Sequence, residues 1–185
     1  MYVIIIIAVL AFGYWVYKNS KRNAVINEFC QAAEEGDADA QFEMGVLYQY
    51  GRGVRQNLFE AVSLYCKAAE QGHIGAQSNL GVLYTLGLGI PRDYSQALYW
   101  FTKAANQGNA FAQNNLCRLY SFGEGVPQNY VTAYMWLELA INGLEGAEKE
   151  KAEMNRDRFL TSHMNSEEIE RAKKMAVEWR ASHKH

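Results

Sequence analysis

The sequence predicts an all-α fold: an α/α solenoid built from repeated helix pairs, preceded by one N-terminal transmembrane helix. Three observations predict it. Glycine, alanine, glutamine and tyrosine recur in columns every 36 residues, as at Gly36, Gly72 and Gly108. A run near the N-terminus is apolar and uncharged. Glycine outnumbers proline 15 to 2, a balance that suits helices punctuated by glycine turns better than strands.

Composition narrows the class. Of the 185 residues, 49% are hydrophobic, with 12 Tyr, 8 Phe and 4 Trp, enough to build a core and too apolar for a disordered chain. The formal net charge of -2 offers no broad basic field for nucleic acid. Three cysteines, Cys30, Cys66 and Cys117, leave at least one thiol unpaired within a monomer, and no metal-type CxxC spacing occurs. Cys30 and Cys66 stand one repeat apart. Equivalent backbones in neighbouring units lie about 8–10 Å apart or more, beyond the roughly 7 Å that a disulfide tolerates. Packed thiols in a reducing compartment are expected.

The N-terminal segment comes first in order. Residues Tyr2 to Tyr17 read YVIIIIAVLAFGYWVY without a charge. As a helix this run spans about 24 Å, near the short limit for crossing a hydrocarbon core. Tyr14, Trp15 and Tyr17 suit the interface, and Lys18 suits snorkelling beyond it. A cleaved signal peptide fits less well, because no basic stretch precedes the apolar run and no A-x-A-like site follows it. A buried core helix would have to explain a run that is apolar all round. Lys18, Lys21 and Arg22 follow the span and no side-chain charge precedes it, which places the repeats on the cytoplasmic side.

The repeat follows without insertion. Ala40, Ala76 and Ala112 align, then Gln41, Gln77 and Gln113, then Tyr48, Tyr84 and Tyr120. The pairs Gly51/Gly53, Gly87/Gly89 and Gly123/Gly125 keep register, as do Asn57, Asp93 and Asn129, and Ala61, Ala97 and Ala133. Such a period marks a stack of supersecondary units. Within a unit, Ala40, Met44 and Tyr48 fall at i, i+4 and i+8, one buried stripe of a first helix. Gly45 and Gly81 interrupt that helix at a cost of about 1 kcal/mol each, which points to close helix–helix approach. Cys117 replaces the third glycine, so a slightly wider contact is expected there. The G-x-G pairs end the first helix. Asn57 with Glu60 and Asp93 with Gln96 read as N-caps with a reciprocating partner three residues on, and Asn129 with Thr132 as a cap without the full box.

These residues resemble the Sel-one-like repeat, a relative of the tetratricopeptide repeat. Its pattern runs G-x-x-x-A-Q-x-x-L-G-x-x-Y-x-x-G-x-G-V, then N or D, then A-x-x-W, and ends in A-A. The second unit follows it at Gly72, Ala76, Gln77, Leu80, Gly81, Tyr84, Gly87, Gly89, Ile90, Asp93, Ala97, Trp100, Ala104 and Ala105. Leu64 for the Trp, Cys117 for the Gly and Ile141 for the last Ala depart from it. The resemblance covers about residues 25 to 143. The organisation that follows is a membrane anchor over 1–18 and a half-repeat cap over 19–35. Repeats then occupy 36–71, 72–107 and 108–143, and a degenerate helical hairpin caps 144–185. Within that cap, 146–160 and 166–182 read as helices, the latter opened by Asn165 and Glu168.

Chemical motifs are absent. His73, His163, His183 and His185 stand in no metal spacing, and no nucleophile elbow or GxxxxGK[ST] loop occurs. The GxG pairs follow helices instead of strands, so they read as turns and not phosphate loops. No catalytic, cofactor or metal site is expected, and no small-molecule substrate. In tetratricopeptide-like stacks the first helices line a concave groove, and the resemblance places Phe42, Glu43, Asn79, Asn114, Asn115 and Arg118 there as candidate partner-binding residues. The columns Phe42/Ser78/Asn114, Glu43/Asn79/Asn115, Val46/Val82/Arg118 and Gln49/Thr85/Ser121 make up that face. Asn79 and Asn115 would grip an extended backbone through their amides, and Arg118 would hold a carboxylate bidentately. The alternative is that these are ordinary solvated positions.

The resemblance implies an adaptor that holds a protein or peptide partner, tethered in a bacterial inner membrane with cytoplasmic repeats; a periplasmic placement is the alternative. It leaves open two other roles, an immunity or inhibitor protein that masks a toxic enzyme and a structural subunit of a membrane complex.

Overall fold

The computed structural model describes residues 24–183, and all of its regular elements among those residues are helical. The expected membrane segment over 1–18 and the start of the half-repeat lie outside the described residues. Among the described residues no helix is long and apolar enough to cross a membrane. The chain divides into two compact units, Met1–Gln71 and Gly72–His185.

In the first unit, α1 covers 24–34, α2 Ala38–Tyr50 and α3 Leu58–Glu70. Helices α2 and α3 form a hairpin whose closeness has a local cause. A Cβ added at Gly45 on α2 would sit 2.7 Å from Cε1 of Tyr65 on α3, so the missing side chain makes room for that ring. The Tyr65 hydroxyl donates to Oε1 of Gln49 at 2.7 Å, which satisfies the one polar atom of a fully buried ring.

In the second unit, α4 covers Ile74–Leu86, α5 Tyr94–Asn106, α6 Ala110–Phe122 and α7 Tyr130–Gly143. Then α8 runs over Gly146–Asn155, a π turn over Arg156–Leu160, a 3-10 turn over Thr161–His163 and α9 over Ser166–Ser182. Its core joins Phe101, Leu116, Cys117, Leu119 and Leu137 with Leu160, Ala172 and Ala176 of the C-terminal elements. The Gly45–Tyr65 device recurs here, with a Cβ at Gly81 falling 2.5 Å from Cε1 of Phe101. The third repeat inverts it. Cys117 stands where the glycines do, and Leu137 stands one period after Tyr65 and Phe101, so a larger residue on α6 meets a smaller one on α7.

The repeated turns share the same backbone bonds. Gly51, Gly87 and Gly123 close their helices in the left-handed region, donating to Leu47, Leu83 and Leu119 respectively. Asn57, Asp93 and Asn129 then cap the next helix by accepting from backbone amides. Their own amides donate back to the carbonyls of Tyr48, Tyr84 and Tyr120, at 3.0, 3.0 and 2.9 Å. This explains a difference from the expected capping boxes. The cap N–H is already occupied by tyrosine carbonyl, so neither Glu60 nor Gln96 reciprocates. Among the described residues the box closes only at α9, where Asn165 N donates to the Glu168 carboxylate and its side chain accepts from Glu168 N, both at 2.9 Å.

A second set of caps opens the first helix of each repeat. Asp37, His73 and Asn109 accept from Ala40, Ala76 and Ala112 at 2.7, 3.0 and 2.8 Å. Beside them runs an amide network in which exposed glutamines reach buried ones. Gln107 Nε2 donates to Gly72 O at 3.2 Å and to Gln77 Oε1 at 2.8 Å, and Gln71 makes the same pair of bonds to Gly36 and Gln41 at 3.0 and 2.9 Å. Each bond ties the end of a second helix to the start of its own first helix. At the next position of this column stands Gly143, and the repeat pattern stops there.

Candidate functional site

The second unit carries a cleft of about 660 Å³ between α6 and the C-terminal elements. One wall is a single stripe of α6: Phe111, Asn115, Arg118 and Phe122, at i, i+4, i+7 and i+11. The opposite wall comes from α8 and the π turn, through Glu148, Lys151, Met154, Arg158 and Phe159. A second cleft of about 390 Å³ shares Phe111, Asn115 and Arg118 with the first and continues to Leu86 on α4 and to Arg92.

The apolar side chains around this site are unusually exposed for their size. Phe111 is 50%, Met154 52% and Phe122 61% accessible, with Leu86 at 58%. Isolated exposed hydrophobes need no explanation, but four lining two clefts with a shared wall form a patch. The Phe122 and Phe159 rings lie 5.9 Å apart, and His163 stacks on Tyr130 at 4.6 Å behind them.

The π turn sets the second wall. Its wider winding lets consecutive residues serve different neighbours. Arg156 bonds Glu138 on α7 at 3.0 Å and Asp157 at 2.7 Å, Arg158 and Phe159 line the cleft, and Leu160 is fully buried. The bond from Asp157, supported by Glu138, holds the Arg156 guanidinium above its ordinary pKa, and the same contact holds the Asp157 carboxyl below its own.

Arg118 is the central polar group. Its Nη1 pairs with the Glu124 carboxylate in the G-x-G turn. Among the described residues, its Nη2 is a buried side-chain nitrogen without a hydrogen-bond partner. The expected bidentate hold on a ligand carboxylate is therefore altered: one arm of the fork is committed inside the chain and one remains.

The structure places the other candidate residues as follows. Asn114, Asn115 and Arg118 come together on the first cleft. Asn79 sits half-buried on α4 and lines neither cleft. Asn115 spends its amide donor on Phe111 O at 2.9 Å, in its own helix, instead of holding it out to a ladder. Phe42 and Glu43 belong to the first unit, where the Phe42 ring packs 5.8 Å from Tyr65 and Glu43 is exposed. Of the four columns, Ser78 and Ser121 are buried and Thr85 bonds Gly81 O at 2.8 Å, while Ser121 lines the first cleft and Val82 and Thr85 line the second. The sequence reading missed Phe111, Phe122 and the whole C-terminal wall.

Burial pushes the Cys117 thiol up to about 12, while Cys30 and Cys66 are half-buried, and all three are free. Burial, then Glu70, raises the Cys66 thiol. Among the described residues no three His, Cys, Asp or Glu side chains gather as a metal site. His73, weighed as a ligand, is a helix cap.

The fold and the site define a helical-repeat protein with a ligand-sized cleft at one end of the second unit. The Sel1 repeat family matches residues 38–73, 74–109 and 110–143, and the chain belongs to that family. Its boundaries run two residues later than the glycine columns suggest, at the helix starts. Sel1 repeats commonly mediate protein–protein interaction. Among solved structures, the chain is similar to a Sel1 repeat protein from Oxalobacter formigenes, with 32% identity and a TM-score of 0.67 over 84% of this chain and 64% of that one. It is also similar to a protective antigen with an SLR fold from uropathogenic Escherichia coli, with 26% identity and a TM-score of 0.55, over 85% of this chain and 41% of that one. The chain thus spans less than two thirds of either. No curated protein matches it.

Proposed function

We propose that the protein is a non-catalytic adaptor that holds a protein partner in the cleft between α6 and the C-terminal elements. It is tethered by its N-terminal apolar segment to a bacterial inner membrane, with the repeats in the cytoplasm. The observation that carries the binding reading is the convergence of exposed Phe111, Phe122 and Met154 around Arg118. Apolar side chains left in water around one polar anchor are the usual anatomy of a recognition site. The uncharged run at Tyr2–Tyr17, followed by Lys18, Lys21 and Arg22, supports the tether. A tether raises the local concentration of the cleft near other membrane components.

Photo-crosslinking in cells tests this. A photoreactive residue at position 122 should yield a discrete adduct that one at Val177, equally exposed on α9 at 61%, does not. The same adduct from both positions, or from neither, refutes the cleft. A C-terminal tag digested by protease added to intact spheroplasts refutes the cytoplasmic placement.

A further inference from the structure

We propose that the ligand of this cleft is an extended peptide segment carrying an acidic side chain with bulky apolar residues two or three positions to either side. The inference rests on the cleft being the interaction site and names the chemistry that would fill it.

Three observations carry it. The first is the divided fork of Arg118, one arm held by Glu124 and the other buried with no acceptor. A buried N–H without a partner is costly, and on a guanidinium the acceptor that fits best is a carboxylate oxygen. Arg118 lines both clefts, and because Glu124 holds Nη1 its guanidinium loses little freedom on binding. The second is charge. Arg118, Lys151 and Arg158 line the first cleft against the single acid Glu148, and Arg92 adds a further cation in the second. A chain of net charge -2 has concentrated positive charge here.

The third is spacing along α6. Phe122 lies four residues after Arg118 and Phe111 seven before it, about 6 Å and about 10 Å along the axis. An extended chain advances about 3.3 Å per residue, so residues two and three positions from an acid come level with those two rings. The aromatic walls and the nearby carboxylates of Glu148 and Glu124 favour a peptide over a nucleic acid, whose phosphates would meet both acids.

The test uses the full chain in mild detergent and fluorescein-labelled nonapeptides of Gly and Ser with Phe at positions three and eight and Asp at five. A matched peptide carries Asn in place of Asp. Fluorescence anisotropy should show the Asp peptide binding about tenfold tighter than the Asn peptide, as one charge-assisted bond supplies. Arg118→Gln should erase that preference. Glu124→Gln, which also breaks the internal ion pair but keeps the guanidinium, should preserve or increase it. Loss of the preference in both variants would make Arg118 a structural residue and overturn the proposal.

Equal binding of both peptides to the native chain also overturns it. If that binding is still lost on Phe122→Ser/Met154→Ser, the cleft stands as the interaction site and only its charge chemistry fails. Binding that survives the double substitution removes the cleft as well. A single-stranded oligonucleotide that displaces the Asp peptide and binds tighter would replace the peptide with a different ligand class.

Discussion

Adding one methyl group to α4 tests how the repeat is held together. The Cβ of Gly81→Ala falls 2.5, 2.6 and 2.8 Å from Cε1, Cδ1 and Cγ of Phe101. Carbon atoms rest about 3.5–4.0 Å apart, so the ring must retreat by about 1 Å. Phe101 is fully buried and has nowhere to go. Overpacking of this kind costs about 1–3 kcal/mol. Alanine returns about 1 kcal/mol of helix propensity, leaving a net loss of up to about 2 kcal/mol. Phe101→Leu alone should cost about 1–2 kcal/mol by leaving a hole beside Gly81. Together they approach the pairing that the register gives Cys117 and Leu137 one repeat later, and the double variant should recover about 1–2 kcal/mol relative to the sum of the singles. Urea denaturation followed by far-UV circular dichroism reads this directly. A Gly81→Ala variant more stable than the native chain, or a double variant equal to the sum of its parts, would refute the size-matching account.

Three further outcomes follow from the described contacts. Cys117 should resist iodoacetamide in the folded chain while Cys30 and Cys66 are alkylated, as mass spectrometry of digested protein would show. Its folded thiol keeps its proton to about 12 while an unfolded one releases it near 9.0. Stability should therefore fall as pH rises above about 9, by about 1.4 kcal/mol per unit for this group, and Cys117→Ala should remove that slope. Asn109→Ala should cost about 1 kcal/mol by stranding the Ala112 amide that its side chain now accepts at 2.8 Å, and an unchanged denaturation midpoint would contradict that role.

The repeat was legible because its residues act locally and identically. Glycine at 45 and 81 announced close helix contact, and each meets an aromatic ring. Asn165 and Glu168 announced a cap, and α9 begins at Ser166 with the box closed. What stayed hidden is non-local. That Glu60 would not reciprocate to Asn57 depends on the Tyr48 carbonyl, nine residues earlier in chain and on another helix. The glutamine column was visible, but its partners at 71 and 107 lie 30 residues away in sequence. The 146–160 segment was expected as one helix, and its last turn is π-wound because Arg156, Phe159 and Leu160 answer to three different neighbours.

The candidate site lies where the repetition lapses, and this follows from what repetition does. Columns that recur hold the helix pairs together, so they are occupied in every unit and face inward. An exposed position free to differ between units is one the scaffold does not use. Arg118 stands where the earlier units have Val46 and Val82, and Glu124 where they have Arg52 and Leu88, so the divided guanidinium exists only in the third repeat. Phe111 replaces Asp39 and Gly75 in the same way. The opposite wall begins just after Gly143, where the glutamine that ties each earlier unit is missing and α8 and the π turn follow in place of a fourth repeat. Phe122 is the exception that fits: its column, Tyr50 and Leu86, is apolar and exposed in all three units. The array therefore offers an apolar position at every repeat, and only in the last does a half-buried guanidinium stand beside it.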